Sequence, residues 1–354
     1  MQIALDTASR ADAAAHIDEA VWHAFHDAGM AMAPFAESLG GGGFGEPQHQ
    51  VALCTLLRLL GGADLSIARL FEGHANAVML VARYGAPDQI RALANNTASG
   101  ALSGVWAAED ATGLRLEQLD NGGILRGRKI FASGAGLLRC PLVTATVPAG
   151  KVMCLLDLDG SEAIDLSAWH PLGMRATATG SVDFSGMTVS RGQLIGAPDD
   201  FTRQPFFSAG AWRFCAAHVG AMERLVELFR DHLLTRGRGQ DPYQLERLAH
   251  CTAAARTALF WVEESARRFG DDQANAEETV AFVNMTRMVT ERAALDVMEA
   301  VQRGIGLTGF LNPHPVERIC RDLATYSRQP VPDLAMSDAA RAVLNGDLRI
   351  GEPV

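Results

Sequence analysis

The sequence predicts an α+β subunit in three parts: a helical N-terminal domain (1–102), a middle antiparallel β domain of barrel-like character (103–196) and a C-terminal four-helix bundle (197–354). Two changes of hydrophobic period carry this expectation. Apolar residues recur at helical spacing to about Leu102, short β-branched runs begin near Ser103, and helical spacing returns near Phe206. The third observation is length. Segments 216–234, 244–269 and 277–303 are each long enough for about five to seven turns at 3.6 residues per turn. Together with a shorter fourth segment they suggest a bundle.

Within the first part, Ile17, Ala20, Val21, Ala24 and Phe25 mark a helix, and Gly29 sits where a C-terminal cap falls. The run 40–45 holds five glycines, so it reads as a loop. As a phosphate cradle it lacks a preceding strand and a following Lys-Ser/Thr pair. Helical patterns resume at 51–60 and 66–84, and Asp88 is placed to cap the next helix. In the middle part, 122–127, 142–147, 152–157 and 181–184 are strand-like runs separated by Gly, Pro and Asn.

Composition bounds the function. At 354 residues with a net charge of -10, the chain has no global basic field, which argues against nucleic acid as a partner. Its six cysteines are scattered without a CxxC pair, the usage of buried thiols in a reducing compartment rather than a metal site. Residues 1–15 are broken by Asp6, Arg10 and Asp12, unlike a secretory leader. No apolar run reaches the roughly 20 residues of a membrane span, so a cytoplasmic location is expected.

Several motifs then converge. The stretch QRGIGLTGF (302–310), followed by PVERICRD (315–322), resembles the segment of acyl-CoA dehydrogenases that receives the adenosine half of FAD. By that resemblance Gln302, Gly304 and Gly306 are cofactor residues. The stretch GRKIFASGA (127–135) resembles the family's flavin-facing strand, so Phe131 would pack on the ring and Ser133 would hydrogen-bond near its reactive nitrogen. LGMRAT (172–177) and the strand after it resemble a structural turn of the same family. In WAAEDATG (106–113), Trp106 and Ala108 fall in the flavin-contacting stretch; Ala108 replaces a threonine and retains only its backbone donor. Arg236 or Arg238 matches an arginine that crosses a subunit interface to the FAD pyrophosphate, a task that suits the guanidinium fork. That arginine and the 302–306 segment are expected on separate sides of one cofactor site. The resemblance implies a homodimer or homotetramer, bound FAD, a small-molecule acyl thioester (CoA- or carrier-bound), and an electron-transfer flavoprotein as redox partner.

The chemistry departs from the family. The usual glutamate base falls on Pro330, and an alternative base position on the first long bundle helix falls on Gly210. Neither can accept a proton. Glu109, Asp333 and His74 are the candidate replacements, with Tyr326 behind them. The paired prolines after Arg328 end the helix near Ser327 and aim Arg328 and Gln329 toward the pocket. The sequence therefore leaves three readings: a dehydrogenase with a relocated base, placed first; a flavin monooxygenase on the same scaffold; and a silent subunit paired with an active homologue.

Overall fold

The structure is a computed structural model that describes residues 1–160, 162–328, 331–349 and 351. It is an α+β chain. The N-terminal helices are α1 (Gln2–Ala14), α2 (Glu19–Asp27), α3 (Gln50–Ala63), α4 (Leu65–Tyr84) and α5 (Pro87–Ala98). Gly29 has φ 70° just beyond α2, as a left-handed helix end requires. Two ends differ from expectation. Asp88 lies inside the first turn of α5, while Gln89 takes the Ala86 N–H at 2.7 Å. Asp64, unmarked in the sequence reading, caps α4 by accepting from Ser66 and Ile67 N–H.

The strands run from Val105 to Ile195: β1 (Val105–Trp106), β2 (Leu114–Leu119), β3 (Gly122–Ala132), β4 (Leu142–Val147), β5 (Gly150–Leu155), β6 (Ala163–Asp165), β7 (Gly180–Asp183), β8 (Thr188–Ser190) and β9 (Leu194–Ile195). They form one sheet in the order β6-β7-β3-β2-β4-β5-β9, with β1 on β4 and β8 on β3. The expected antiparallel domain is in fact mixed, because β1 and β2 each meet β4 in parallel. These contacts are one or two residues long, too short to announce themselves in a sequence pattern. Strand β3 extends past the expected 127 and shifts register against β7 between Lys129 and Ala132. That bulge lies beneath the candidate site.

After the sheet come the short α6 (Phe206–Ala209) and the long helices α7 (Trp212–Thr235), α8 (Pro242–Gly270) and α9 (Ala276–Ile305). The last helices are α10 (Pro315–Tyr326) and α11 (Pro332–Asn345). Helix α3 also lies against α7. Gly61 faces the Ala217 carbonyl and Gly220 faces the Arg58 carbonyl so closely that a Cβ at either would overlap backbone. No described helix is long and apolar enough to cross a membrane.

One polar cluster joins the three parts. Arg321 pairs with Asp12 of α1 at 2.7 Å, donates to the Leu172 carbonyl at 2.8 Å, and pairs with Glu317 on its own helix. Asp322 accepts from Met174 N–H at 2.6 Å, and Arg318 lies between Asp322 and Asp64 at 3.3 and 3.4 Å. A Cβ on Gly173 would strike the Arg321 carbonyl. The Arg-Asp pair and the LGMRAT turn are thus two halves of one structural joint.

Candidate functional site

A cleft opens where the bulged end of β3 meets α4 and the end of α10, lined by Arg69, Phe131, Ser133, Trp169, Met174, Thr177, Thr179 and Tyr326. Phe131 stands at φ 51° with 62% of its surface exposed. A bulky residue in the left-handed region is strained, and such strain concentrates at working sites. Behind it, Thr177 donates to the Met174 carbonyl at 2.8 Å, and the Thr177, Thr179 and Ser133 hydroxyls follow as a chain of 2.8 and 3.2 Å contacts. This chain fixes the Ser133 hydroxyl at the cleft edge. Trp106 is buried and donates its indole N–H to the Ser133 carbonyl at 3.0 Å. It braces the turn rather than presenting a face to a ligand.

The bundle side of the cleft is charged and aromatic. Arg69 pairs with Glu72, which also accepts from Asn76. Tyr326 is buried against His218, ring centroids 4.6 Å apart, and its hydroxyl has no hydrogen-bond partner of good geometry, although the Arg69 guanidinium lies beside it. Burial holds its phenol proton well above the ordinary range, so Tyr326 remains an O–H donor. Burial likewise pushes His218 down to about 3, which keeps that ring neutral.

The candidate bases lie as follows. Glu109 sits between Lys129 at 2.5 Å and Lys151 at 2.8 Å. Its partial burial opposes ionisation, but the two lysines outweigh it and hold the carboxyl below its usual value. For fully buried Lys129 the balance runs the other way, and desolvation lowers its pKa despite the same ion pair. A carboxylate already paired twice is a poor proton acceptor. His74 is fully buried: Nε2 meets the Ala31 carbonyl at 2.7 Å, and Nδ1 accepts from Ser103 N–H at 3.1 Å. Burial pushes it down to about 4, and both nitrogens are engaged. Asp333 is exposed in the first turn of α11. Arg328 pairs with Glu291 at the surface instead of facing the pocket. Gln329 and Pro330 lie outside the described residues. At Gly210, a Cβ would run into the Arg213 guanidinium.

The residues assigned to the adenosine half gather at the other end of the bundle. Arg238 pairs with Asp241 at 2.5 Å and, with the Gln244 amide turned over, donates to its oxygen at 3.0 Å. Gln244 lies beside Gly304, whose missing Cβ makes room for the Phe229 ring. The Gln302 side chain lies beside the buried Cys320 thiol. Gly306 ends α9 at φ 78°, and Arg236 is exposed at the end of α7. Arg238 and the 302–306 segment, expected on separate sides of a cofactor, are therefore neighbours within one subunit. No hydrogen bond or ion pair among the described residues links them to Phe131 and Ser133. Ala108 is exposed, and its carbonyl accepts from Ile130 N–H at 3.1 Å, just before Phe131.

Arg69, Trp169, Thr177 and Thr179 were missed in the sequence. The available signal was the placement of Arg69, Glu72 and Asn76 at i, i+3 and i+7 in a mostly apolar helix, which puts three polar groups on one face.

Comparison with known proteins agrees with this architecture. The chain matches the acyl-CoA dehydrogenase N-terminal domain model over residues 2–101 and the acyl-CoA dehydrogenase C-terminal domain model over 203–327. It is 23% identical over 347 residues to a dibenzothiophene monooxygenase of Rhodococcus erythropolis, covering 83% of this chain and 80% of that one. The structure of TdsC from Paenibacillus sp. A11-2 with FMN and indole aligns at a TM-score of 0.84 and 20% identity, over 100% of this chain and 96% of that one. A glutaryl-coenzyme A dehydrogenase in complex with glutaryl-CoA aligns at 0.85 and 17% identity, over 99% and 94%. The chain belongs to the acyl-CoA dehydrogenase family.

Proposed function

We propose that this protein is a flavin-dependent monooxygenase rather than a dehydrogenase of acyl thioesters. The observation that carries the reading is the lack, among the described residues, of an uncommitted carboxylate in the cleft. Glu72 is held by Arg69 and Asn76, Glu109 by two lysines, and Asp322 by Arg318 and a backbone N–H. Removing a proton from carbon beside a thioester needs an acceptor within hydrogen-bond reach. Oxygen insertion does not. The similarity to a dibenzothiophene monooxygenase supports the same choice.

The side chains at the cleft mouth suit a flavin ring. Phe131 offers an exposed aromatic face, Ser133 an oriented hydroxyl, and Tyr326 a permanent donor. When bound in reduced form, the flavin supplies two electrons to dioxygen, so that one oxygen atom enters the substrate and the other leaves as water. Phe131 would cover one face of the ring, and Ser133 would fix its edge. Trp169 and Met174 would exclude water, while Tyr326 would keep a proton beside the reacting oxygen.

FMN is the better fit than the FAD expected from sequence. Of the groups that would receive the adenosine half, Arg238 is paired with Asp241 and the space beside Gly304 is filled by the Phe229 ring. The electron partner is then a source of reduced flavin instead of an electron-transfer flavoprotein. A homodimer or homotetramer remains part of the proposal. Leu307, Phe310 and Leu311 are 76%, 53% and 53% exposed at the end of α9, an apolar face suited to a second subunit.

The test is direct. Photoreduced FMN-loaded protein is mixed with ¹⁸O₂ and a panel of organic sulfides, indoles and organic acids; label in a product supports the reading. Rapid bleaching of bound flavin by butyryl- or octanoyl-CoA under argon would overturn it in favour of the dehydrogenase.

A further inference from the structure

Helix α4 carries a polar stripe inward from the cleft. Arg69, Glu72, Asn76 and Met79 follow at i, i+3, i+7 and i+10 on one face, so the stripe runs about 15 Å along the helix axis. At its inner end Met79 touches the Arg213 guanidinium, Nη1 to Sδ 3.9 Å. Arg213 is 93% buried, at 7% relative exposure, and has no carboxylate partner among the described residues. Its other neighbours are the Phe269 ring, 5.1 Å from the guanidinium carbon, and Gly210, which leaves it room. Glu72, an acid whose field reaches it, is already paired with Arg69.

The donors there exceed the acceptors. Arg213 Nε and the indole Nε1 of Trp212 are both buried without a hydrogen-bond partner, and both side chains meet the same Phe269 ring. Leaving a guanidinium unpaired in a protein interior is expensive, and burial pushes Arg213 down to about 10. The Trp212 and Phe269 rings, 5.7 and 5.1 Å from the guanidinium carbon, and the Met79 sulfur offset only part of that cost. A ligand oxyanion would satisfy the Arg213 guanidinium, whose fork matches its geometry.

We propose that Arg213, with Trp212, forms an anion subsite that holds the carboxylate or sulfonate end of an elongated organic acid while its other end reaches the cleft at Arg69 and Phe131. The proposal rests on the monooxygenase reading for what happens at the reacting end. It reassigns the charge at this position: where some relatives are expected to carry a glutamate base on the first bundle helix, this chain has Gly210 and the Arg213 guanidinium in its space. Arg213 is a binding residue here, not a proton acceptor.

The experiment measures binding to the oxidised protein by calorimetry, without reductant or oxygen turnover, so its outcome is separate from that of the monooxygenase test. The probes are two matched pairs, octanoate with octanamide and benzoate with benzamide. At least one acid is expected to bind tenfold or more tightly than its amide. Arg213→Met should abolish that preference while raising the melting temperature, because it removes an unpaired buried charge at nearly constant volume. Arg213→Lys should keep part of the preference. Acids and amides binding wild type equally, or not at all, would overturn the subsite. So would a preference that survives in Arg213→Met, or a lower melting temperature in that variant, which would make the guanidinium structural.

Discussion

Phe131 concentrates the strain of the site in one residue. Its φ of 51° and its 62% exposed ring mean that neither backbone geometry nor packing rewards a phenylalanine here. Phe131→Gly should therefore stabilise the apoprotein by about 1 kcal/mol in urea unfolding. The same change should weaken flavin binding at least tenfold in a fluorescence titration; unchanged flavin affinity would remove the assigned role. Glu109 tests the opposite case. Glu109→Gln leaves Lys129, with no side-chain exposure, without its close anion, and should cost about 3 kcal/mol. His218 gives a pH signature. Its folded pKa lies near 3 against an ordinary 6.5, so the unfolded chain takes up the proton first. Its contribution is intact above about 6.5 and is lost as pH falls toward 3. Asp322, raised to about 7 by burial, runs the other way, so the useful quantity is a difference between proteins. Between about pH 5.5 and 4 wild type should lose about 1.4 kcal/mol per pH unit more than His218→Phe. Parallel stability curves would mean that His218 is charged or exposed in the native state.

At the scale of elements, the contact between α3 and α7 is set by backbone proximity. Gly61 and Gly220 let the two helices meet carbonyl to Cα, and Arg58 pairs with Glu223 at 2.9 Å across the same junction. Gly220→Ala cannot be absorbed by a side chain, because the obstructing atoms are the Arg58 carbonyl and the Gly62 backbone. It should cost about 3 kcal/mol and shift α4 with α3, lowering flavin affinity without touching the cleft. Gly62→Ala would place its Cβ 3.2 Å from the Gly220 carbonyl oxygen and serves as the milder control. Thermal unfolding of the two variants checks the order. Little of this was visible in sequence: the long helical periods located α7, α8 and α9 to within a few residues, but a glycine in an apolar helix does not say which helix approaches it.

The whole molecule is held by the joint around α10. Arg321 reaches α1 and the Leu172 carbonyl, Asp322 reaches Met174, and Arg318 reaches Asp64 at the cap of α4, so one helix side ties together all three parts. Arg321→Met should lower the melting temperature and open a protease-sensitive loop around 166–175. A single cooperative transition at the wild-type temperature would show that the joint contributes nothing measurable.

From sequence alone came the order of helical, β and helical parts, the family resemblance, and the Phe131–Ser133 turn. These rest on local periodicity and contiguous motifs, which a chain displays without folding. Only the tertiary structure decided which polar residues are spent and which are left over. Glu109 and His74 looked available and are engaged by partners 20 or more residues away, Lys129 and Ala31 among them. Arg213, which no sequence pattern singles out, emerges without a carboxylate partner among the described residues. Pairing is a property of what burial brings within about 3 Å, and hydrogen-bond geometry across 165 or 254 residues of chain, as at Arg58–Glu223 and Asp64–Arg318, is not written in any local window.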